Sequence, residues 1–366
     1  MNTLKEVSFD EFAPISKATW LQKLQEELLQ SGKEFLKTEP GAFYTSEDIL
    51  PRDFFAHKQF LNHKISPWLI DEQIVYGPGV ISKIKNALQS GSDGISLTLK
   101  HPLSSKEIKE VQEMASSLKF LNFHFEEGTE ISNGLFEGNY TGALRVTIKN
   151  NWPSDNTLKQ LFGLLQSNID NYRFISVSNS LNKDITDTAT QLSQTLALAI
   201  EYIDYFTERE IPLIHTLKNI EFTFTIGKDF LMEISKLRAF HLLWNKVIEG
   251  YKVNPVEINN PIHCVAIPEP TNSPENLIGL TIKAMSSILG GCNSLTIMPF
   301  ANDKADFPQR ISRNIALLLK EESYLDKVTD PLGGAYYIEK TTSIFAEKAW
   351  SQLHDLENKG GYLKSL

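Results

Sequence analysis

Ile220-Glu-Phe-Thr-Phe-Thr-Ile226, followed after Gly227-Lys228 by Asp229-Phe-Leu-Met-Glu-Ile-Ser-Lys-Leu-Arg-Ala-Phe-His-Leu-Leu-Trp244, decides the fold class of this chain. The first run is short and rich in aromatic and β-branched residues, which suit a pleated, half-buried surface. In the second, Phe230, Ile234, Leu237 and Trp244 recur at three- to four-residue multiples, giving a helix with one apolar face. A strand followed directly by an amphipathic helix is one parallel βα unit.

The same unit repeats on both sides. Trp68 to Tyr76 precedes Val80 to Leu88, and Gly94 to Leu99 precedes Lys106 to Leu118. Lys119 to Glu126 is a further strand, and Gly142 to Ile148 precedes Asn156 to Ser167. Phe174 to Ser178 precedes Ala189 to Phe206, where Leu192, Leu196, Ile200 and Ile203 share a face. Ile262 to Ile267 precedes Asn276 to Leu289, and Ser294 to Pro299 precedes Asp306 to Glu321. That makes eight strands, apolar and β-branched as buried parallel strands must be. Eight units predict a closed TIM-type (β/α)8 barrel, since an open doubly wound sheet usually has about six strands. Between Glu126 and Gly142 the run from Gly128 to Thr141 reads as a loop, so the third outer helix is expected to be short or missing. Gly290–Gly291 marks a helix end and Gly333–Gly334 a turn.

Residues 1–50 follow another pattern. Phe9, Phe12, Ile15 and Trp20 are spread through a charged segment, and Ser16 to Leu29 predicts a short amphipathic helix with a Ser cap. Nothing there builds a core, so the segment is expected to be an arm whose apolar residues are covered by another surface. The expected organisation is an arm and linker over 1–50 and a barrel with a C-terminal helical extension over 51–366.

Composition narrows the function classes. The chain has 366 residues and a formal charge of −9 with no basic stripe, which argues against nucleic-acid capture. Cys264 and Cys292 are too few for a disulfide framework and read as small buried hydrophobes. No apolar run approaches the ~18 residues of a membrane span, and the first residues lack a signal-peptide core; the expected location is the cytoplasm. Glycine-rich nucleotide loops are absent, and the eight histidines make no helix-spaced metal pair. His124 and His263 lie on strands and read first as satisfied barrel residues.

Several stretches resemble one family. Leu289-Gly-Gly-Cys-Asn-Ser-Leu295, Phe307-Pro-Gln-Arg-Ile-Ser-Arg-Asn314, Glu321-Glu-Ser-Tyr-Leu-Asp-Lys-Val328 and Asp330-Pro-Leu-Gly-Gly-Ala-Tyr-Tyr-Ile-Glu339 are similar, in order and spacing, to the end of the barrel domain of methylmalonyl-CoA mutases. Pro67-Trp-Leu-Ile70 and Asp229 to Trp244 agree as well, and the N-terminal arm resembles the opening of the small chain in two-chain bacterial forms. The resemblance implies a heterodimer in which a catalytic large subunit threads the CoA ester through its barrel. That subunit carries adenosylcobalamin on a domain marked Asp-x-His-x-x-Gly. No such motif occurs here, and His354-Asp355 has the wrong order, so the expectation is that this chain binds no cofactor.

The substrate side departs from the family pattern too. Where catalytic chains read Trp-Thr-Ile-Arg-Gln-Tyr, this one reads Trp68-Leu-Ile-Asp-Glu-Gln73, placing Leu69, Asp71 and Gln73 at the substrate-contacting points. Where they read Arg-Leu-Ser-Phe-Phe-Phe, it reads Asn219-Ile-Glu-Phe-Thr-Phe224, with Asn219 and Glu221 replacing Arg and Ser. The family's Ser-Ile-Ser-Gly-Tyr-His has become Ser176-Val-Ser-Asn-Ser-Leu181, without the histidine. An acid in place of a phosphate-binding Arg repels phosphate. The resemblance therefore implies a non-catalytic small subunit with a degenerate site, bound to its partner through Phe9, Phe12, Ile15 and Trp20. Two other readings stand beside it. One is a free-standing barrel enzyme using His124, Glu126, Glu221 and His263; the other is a regulatory module that binds CoA without turning it over.

Overall fold

The computed structural model describes residues 15–30 and 68–365, apart from short stretches at 116–117, 119, 139, 149–151, 168, 170, 179–186, 271–274 and 302–306. Phe9 and Phe12 lie outside the described residues. From Trp68 onward the chain winds a parallel sheet of β1 (Leu69–Val75), β2 (Gly94–Leu99), β3 (Phe120–Glu126), β4 (Gly142–Thr147), β5 (Tyr172–Arg173), β6 (Ile175–Ser178), β7 (Ile220–Thr225), β8 (Ile262–Ala266) and β9 (Ser294–Ile297). The order is β5-β4-β3-β2-β1-β9-β8-β7-β6. Its two ends are halves of one strand, separated only by Phe174: β5 pairs with β4, and β6 with β7. The nine segments therefore occupy eight strand positions and make a TIM-type barrel, as the repeat predicts.

The fifth strand breaks where the third helix is missing, and the two facts belong together. Between β3 and β4 stands only a 3-10 turn, Asn133–Phe136, whose Leu135 and Phe136 are buried. Phe136 packs edge-on against Phe174 at 5.1 Å and Tyr172 lies 4.8 Å from Phe136. Phe123 and Tyr140 complete this aromatic wall, which does the covering that a helix does elsewhere. Gly142 is required here: a Cβ would stand 2.1 Å from the Leu121 carbonyl oxygen.

Helices coat the barrel: α2 (Val80–Gln89), α3 (Ser105–Ala115), α4 (Asp155–Gln166), α5 (Thr188–Thr207), α6 (Leu213–Lys218), α7 (Phe230–Gly250), α8 (Glu275–Leu289) and α9 (Phe307–Leu317). The short α6 has no counterpart in the sequence reading; it turns the chain back toward β7. Asp187 and Asp229 cap α5 and α7 by accepting the amides of Thr190 and Met232. Gly291 and Gly334 adopt left-handed φ of 91° and 86° at the expected helix end and turn.

The last helix, α10 (Tyr336–Asn358), packs on α5 and α7. Its anchor joins two of the family-like stretches. Arg238 of α7, fully buried, pairs with Asp330 and donates to Glu339 Oε1 at 2.8 Å, and that oxygen also accepts the Gly334 amide at 2.9 Å. The Gly-Gly stretch is thus a structural clamp. Arg313, in a third such stretch, ties α9 to β1 through Glu72 at 2.8 Å.

Ahead of the barrel, α1 (Lys17–Gln30) starts at Ser16, whose hydroxyl accepts the Thr19 amide at 3.2 Å. None of its described residues is buried: Trp20 is 41% exposed, and Ile15, just before the helix, 70%. No described helix is long and apolar enough to cross a membrane.

Candidate functional site

Strand alternation sets the chemistry of the barrel axis. On β7, Ile220, Phe222 and Phe224 face the helices, so Glu221 and Thr223 face inward. The same alternation directs Asp71 and Gln73 of β1, Ser96 of β2, Asn122 and His124 of β3, Arg145 of β4, His263 of β8 and Thr296 of β9 to the interior. The strands are therefore not uniformly apolar, because only their outer faces pack against helices. Their inner faces meet one another.

Arg145 is the centre of that meeting. Its Nε and Nη2 donate to Glu221 Oε2 and Oε1 at 2.9 and 3.0 Å, a bidentate pair. Nη1 donates to Asp71 Oδ2 at 3.0 Å and to Ser96 Oγ at 2.7 Å. Asp71 Oδ2 also accepts from Ser96 Oγ at 2.6 Å, Asn122 Nδ2 at 3.3 Å and Thr296 Oγ1 at 3.3 Å. One guanidinium from β4 thus reaches carboxylates on β1 and β7, and all three side chains are buried.

The electrostatics favour these charge states. Burial pushes the Asp71 carboxyl up, but the Arg145 charge and the Ser96 and Arg145 hydrogen bonds outweigh it, so its pKa ends below the usual carboxylate value. Burial likewise works against charge on Arg145, yet Glu221 and then Asp71 leave its pKa raised. His263 is driven well below its ordinary value by burial and then by the Arg145 charge, against the pull of Asp71. It is therefore neutral, and its Nδ1 contact with Ser294 Oγ at 2.8 Å is a hydrogen bond. The 3.8 Å approach to Asp71 is accordingly no ion pair.

One step toward the C-terminal mouth, Gln73 Nε2 donates to Thr98 Oγ1 at 2.9 Å, and His124 Nε2 meets Thr147 Oγ1 at 2.6 Å. Burial, then Arg145, lowers the His124 pKa to about 4 against the opposing charge of Glu126. On the N-terminal side lies a cleft of about 90 Å³ lined by Leu69, Phe120, Arg173 and the Asp71–Arg145–Glu221 ladder.

Of the positions singled out in the sequence, Asp71 and Glu221 come together on Arg145. Gln73 sits one layer above and Leu69 at the N-terminal cleft. Asn219 stands apart: it ends α6, donating to the His215 carbonyl at 3.0 Å. Glu221 and His263 are buried and engaged, which removes them from the rim where a free-standing enzyme would use them, while Glu126 is exposed. Arg145 was not among the sequence candidates. Its signal was a lone Arg inside the apolar run Gly142-Ala-Leu-Arg-Val-Thr147, which has to find acids within the sheet. Cys264 and Cys292 are buried free thiols. Among the described residues, no group of three His, Cys, Asp or Glu is placed to hold a metal ion.

Fold and site together define a parallel (β/α)8 barrel whose axis is spanned by a buried acid–arginine–acid ladder. The methylmalonyl-CoA mutase family profile matches residues 143–366, more than half of the chain. The chain belongs to the methylmalonyl-CoA mutase family. It is 27% identical to the methylmalonyl-CoA mutase small subunit of Porphyromonas gingivalis, over 99% of this chain and 66% of that protein. It is 32% identical to the methylmalonyl-CoA mutase of Rhizobium meliloti, over 58% of this chain and 31% of that one. With the small subunit of Streptomyces virginiae the identity is 30%, over 49% of this chain and 30% of the relative. The chain spans just under two thirds of the Porphyromonas protein's length and about a third of the other two.

Proposed function

We propose that this chain is the non-catalytic small subunit of a heterodimeric methylmalonyl-CoA mutase, stabilising a catalytic large subunit that interconverts (R)-methylmalonyl-CoA and succinyl-CoA. The observation that carries the reading is the Arg145 ladder. Asp71 and Glu221 occupy two positions where the family resemblance puts CoA contacts, and here both are consumed by a third side chain. Hydrogen bonds of 2.6–3.3 Å converge across the interior, and this crosslinking of the axis supports a barrel that does not thread a pantetheine arm. Arg145 offsets one of the two acid charges, so the repulsion of phosphate is reduced but not removed.

Adenosylcobalamin belongs, on this reading, to the partner. His354, beside the Asp355 of the reversed motif, lies on the outer helix α10, edge-on to Trp350 at 5.4 Å, which supports that assignment. The small-subunit names of the Porphyromonas and Streptomyces relatives support a large-subunit partner. The exposure of Ile15 and Trp20, 70% and 41%, supports an arm that reaches it, within the 1–50 arm and 51–366 barrel division. The proposed compartment is the cytoplasm.

Isothermal titration of the isolated chain tests the reading. Methylmalonyl-CoA and adenosylcobalamin should each bind no tighter than millimolar, about −4 kcal/mol. Mutase turnover should require co-expression with the large chain. Micromolar binding of either molecule, or turnover by this chain alone, overturns the proposal and returns the enzyme or CoA-sensing readings.

A further inference from the structure

The cleft on the N-terminal side of the Arg145 ladder is lined by a buried acid and by a guanidinium that the ladder does not use. The acid is Asp71, 3% exposed. Its Oδ2 accepts from Arg145, Ser96, Asn122 and Thr296, while Oδ1 has no hydrogen-bond partner among the described residues. Oδ1 lies at the cleft wall, 3.9 Å from where a Cβ on the lining residue Gly94 would stand. A buried carboxylate oxygen is destabilising until a donor reaches it. The guanidinium is that of Arg173, which is half-buried. Its Nη2 donates to the Asn259 carbonyl at 3.2 Å, but Nε is buried with no partner among the described residues. Burial works against the Arg173 charge and Glu221 offsets this only in part, so its pKa ends lowered. An anion beside Arg173 restores what burial removes.

Other polar groups of the wall are already engaged. Arg145 donates from Nε, Nη1 and Nη2, and Asn122 Oδ1 accepts the Ala143 amide at 3.0 Å. Leu69, Phe120 and Pro261 make apolar sides. The cleft holds about 90 Å³, and one water takes about 10–15 Å³ of such a space, so a molecule of roughly six non-hydrogen atoms fits. Charge narrows the choice further. A lone anion meets Asp71 and Glu221, of whose two charges Arg145 offsets one. A lone cation answers Asp71 and leaves Arg173 unmatched. A divalent metal ion needs about six oxygen ligands, and no metal-binding group of acids stands among the described residues.

We infer that this cleft binds a small zwitterion, an amino acid of about six non-hydrogen atoms, with its ammonium on Asp71 Oδ1 and its carboxylate on Arg173. Both contacts are charge-assisted hydrogen bonds, and each supplies a partner that the protein itself does not. The ammonium takes the buried end, where the ladder keeps one net negative charge; the carboxylate takes the half-buried end, beside the cation. The site binds without transforming its ligand, since barrels of this class place their chemistry at the C-terminal face. It stands independently of the subunit reading, because every group it uses belongs to this chain.

The test is a ligand-observed NMR titration of the full chain with L-alanine, and with propionate and propylammonium, each of which keeps one charged end. Two variants accompany the wild type: Arg173→Gln, which removes the outer charge, and Leu69→Trp, which fills the cleft without touching the ladder. Alanine should bind the wild type with a Kd of about 10 mM or tighter. Propionate and propylammonium should each bind at least about tenfold more weakly, and alanine should lose at least about tenfold in both variants. Thermal melting of the variants should match the wild type; where one melts early, the other variant and the wild-type comparison of the three ligands decide. Failure of alanine to saturate the wild type shows a cleft that holds water only and overturns the inference. Propylammonium or propionate binding as well as alanine overturns the zwitterion, and alanine binding undiminished in both variants places it elsewhere and overturns the site.

Discussion

Replacing Arg145 by Met removes the ladder's only cation while keeping most of its apolar bulk. At about 3 Å and an effective dielectric near 20, each carboxylate contact carries roughly 5 kcal/mol of Coulomb attraction. Most of that is cancelled by the cost of having buried three charges. What the variant exposes is the uncompensated remainder: Asp71 and Glu221, both buried, lose their common partner. Breaking a buried pair from one side costs about 3–5 kcal/mol. For a domain of this size that lowers Tm by roughly 5–8 °C. Differential scanning calorimetry of Arg145→Met, and of Arg145→Met with Asp71→Asn and Glu221→Gln, reads the effect. The triple variant should recover more than half of the loss, because it no longer strands two charges. A single variant within about 2 °C of the wild type, or a triple variant no better than the single, refutes the ladder as a coupled unit.

Two further outcomes follow from the same geometry. Acid should destabilise the isolated chain early: the unfolded chain protonates histidine near pH 6.5, whereas the folded chain holds His124 neutral until about 4 and His263 well below its ordinary value. Stability is therefore full above about 6.5 and falls with pH across that window, by up to about 3 kcal/mol for His124. Melting between pH 7 and 5 checks it; a flat profile, or one unchanged in His124→Gln, counts against the assignment. Asp71, whose pKa is lowered, contributes in a separate range, with stability present above about 3.8 and lost below it. Deleting residues 1–30 should leave the barrel's melting unchanged, since no described α1 residue is buried, yet weaken retention on an immobilised large chain at least tenfold. Unfolding of the truncated chain, or undiminished pairing, would assign the arm to its own barrel.

The βα repeat was legible residue by residue because a parallel strand and its helix write their periods locally. Ile220 to Ile226 and Phe230 to Trp244 need no distant partner to be read. The missing third helix was legible for the same reason, as was the Ser16 cap. Asp71 and Glu221 were legible as departures from a family pattern, but as acids facing absent phosphate. That they neutralise Arg145 depends on residues 74 and 76 positions away along the chain, and no local pattern carries such a separation. The split of the fifth strand at Phe174 likewise follows from an aromatic wall assembled from β3, β5 and the loop between β3 and β4. The sequence by itself determined how many units there are and which faces are apolar, since those follow from side-chain period and backbone preference. Only the tertiary structure decided what fills the axis: inward-facing side chains from eight strand positions choose partners only once the barrel closes and excludes the water that would otherwise satisfy them.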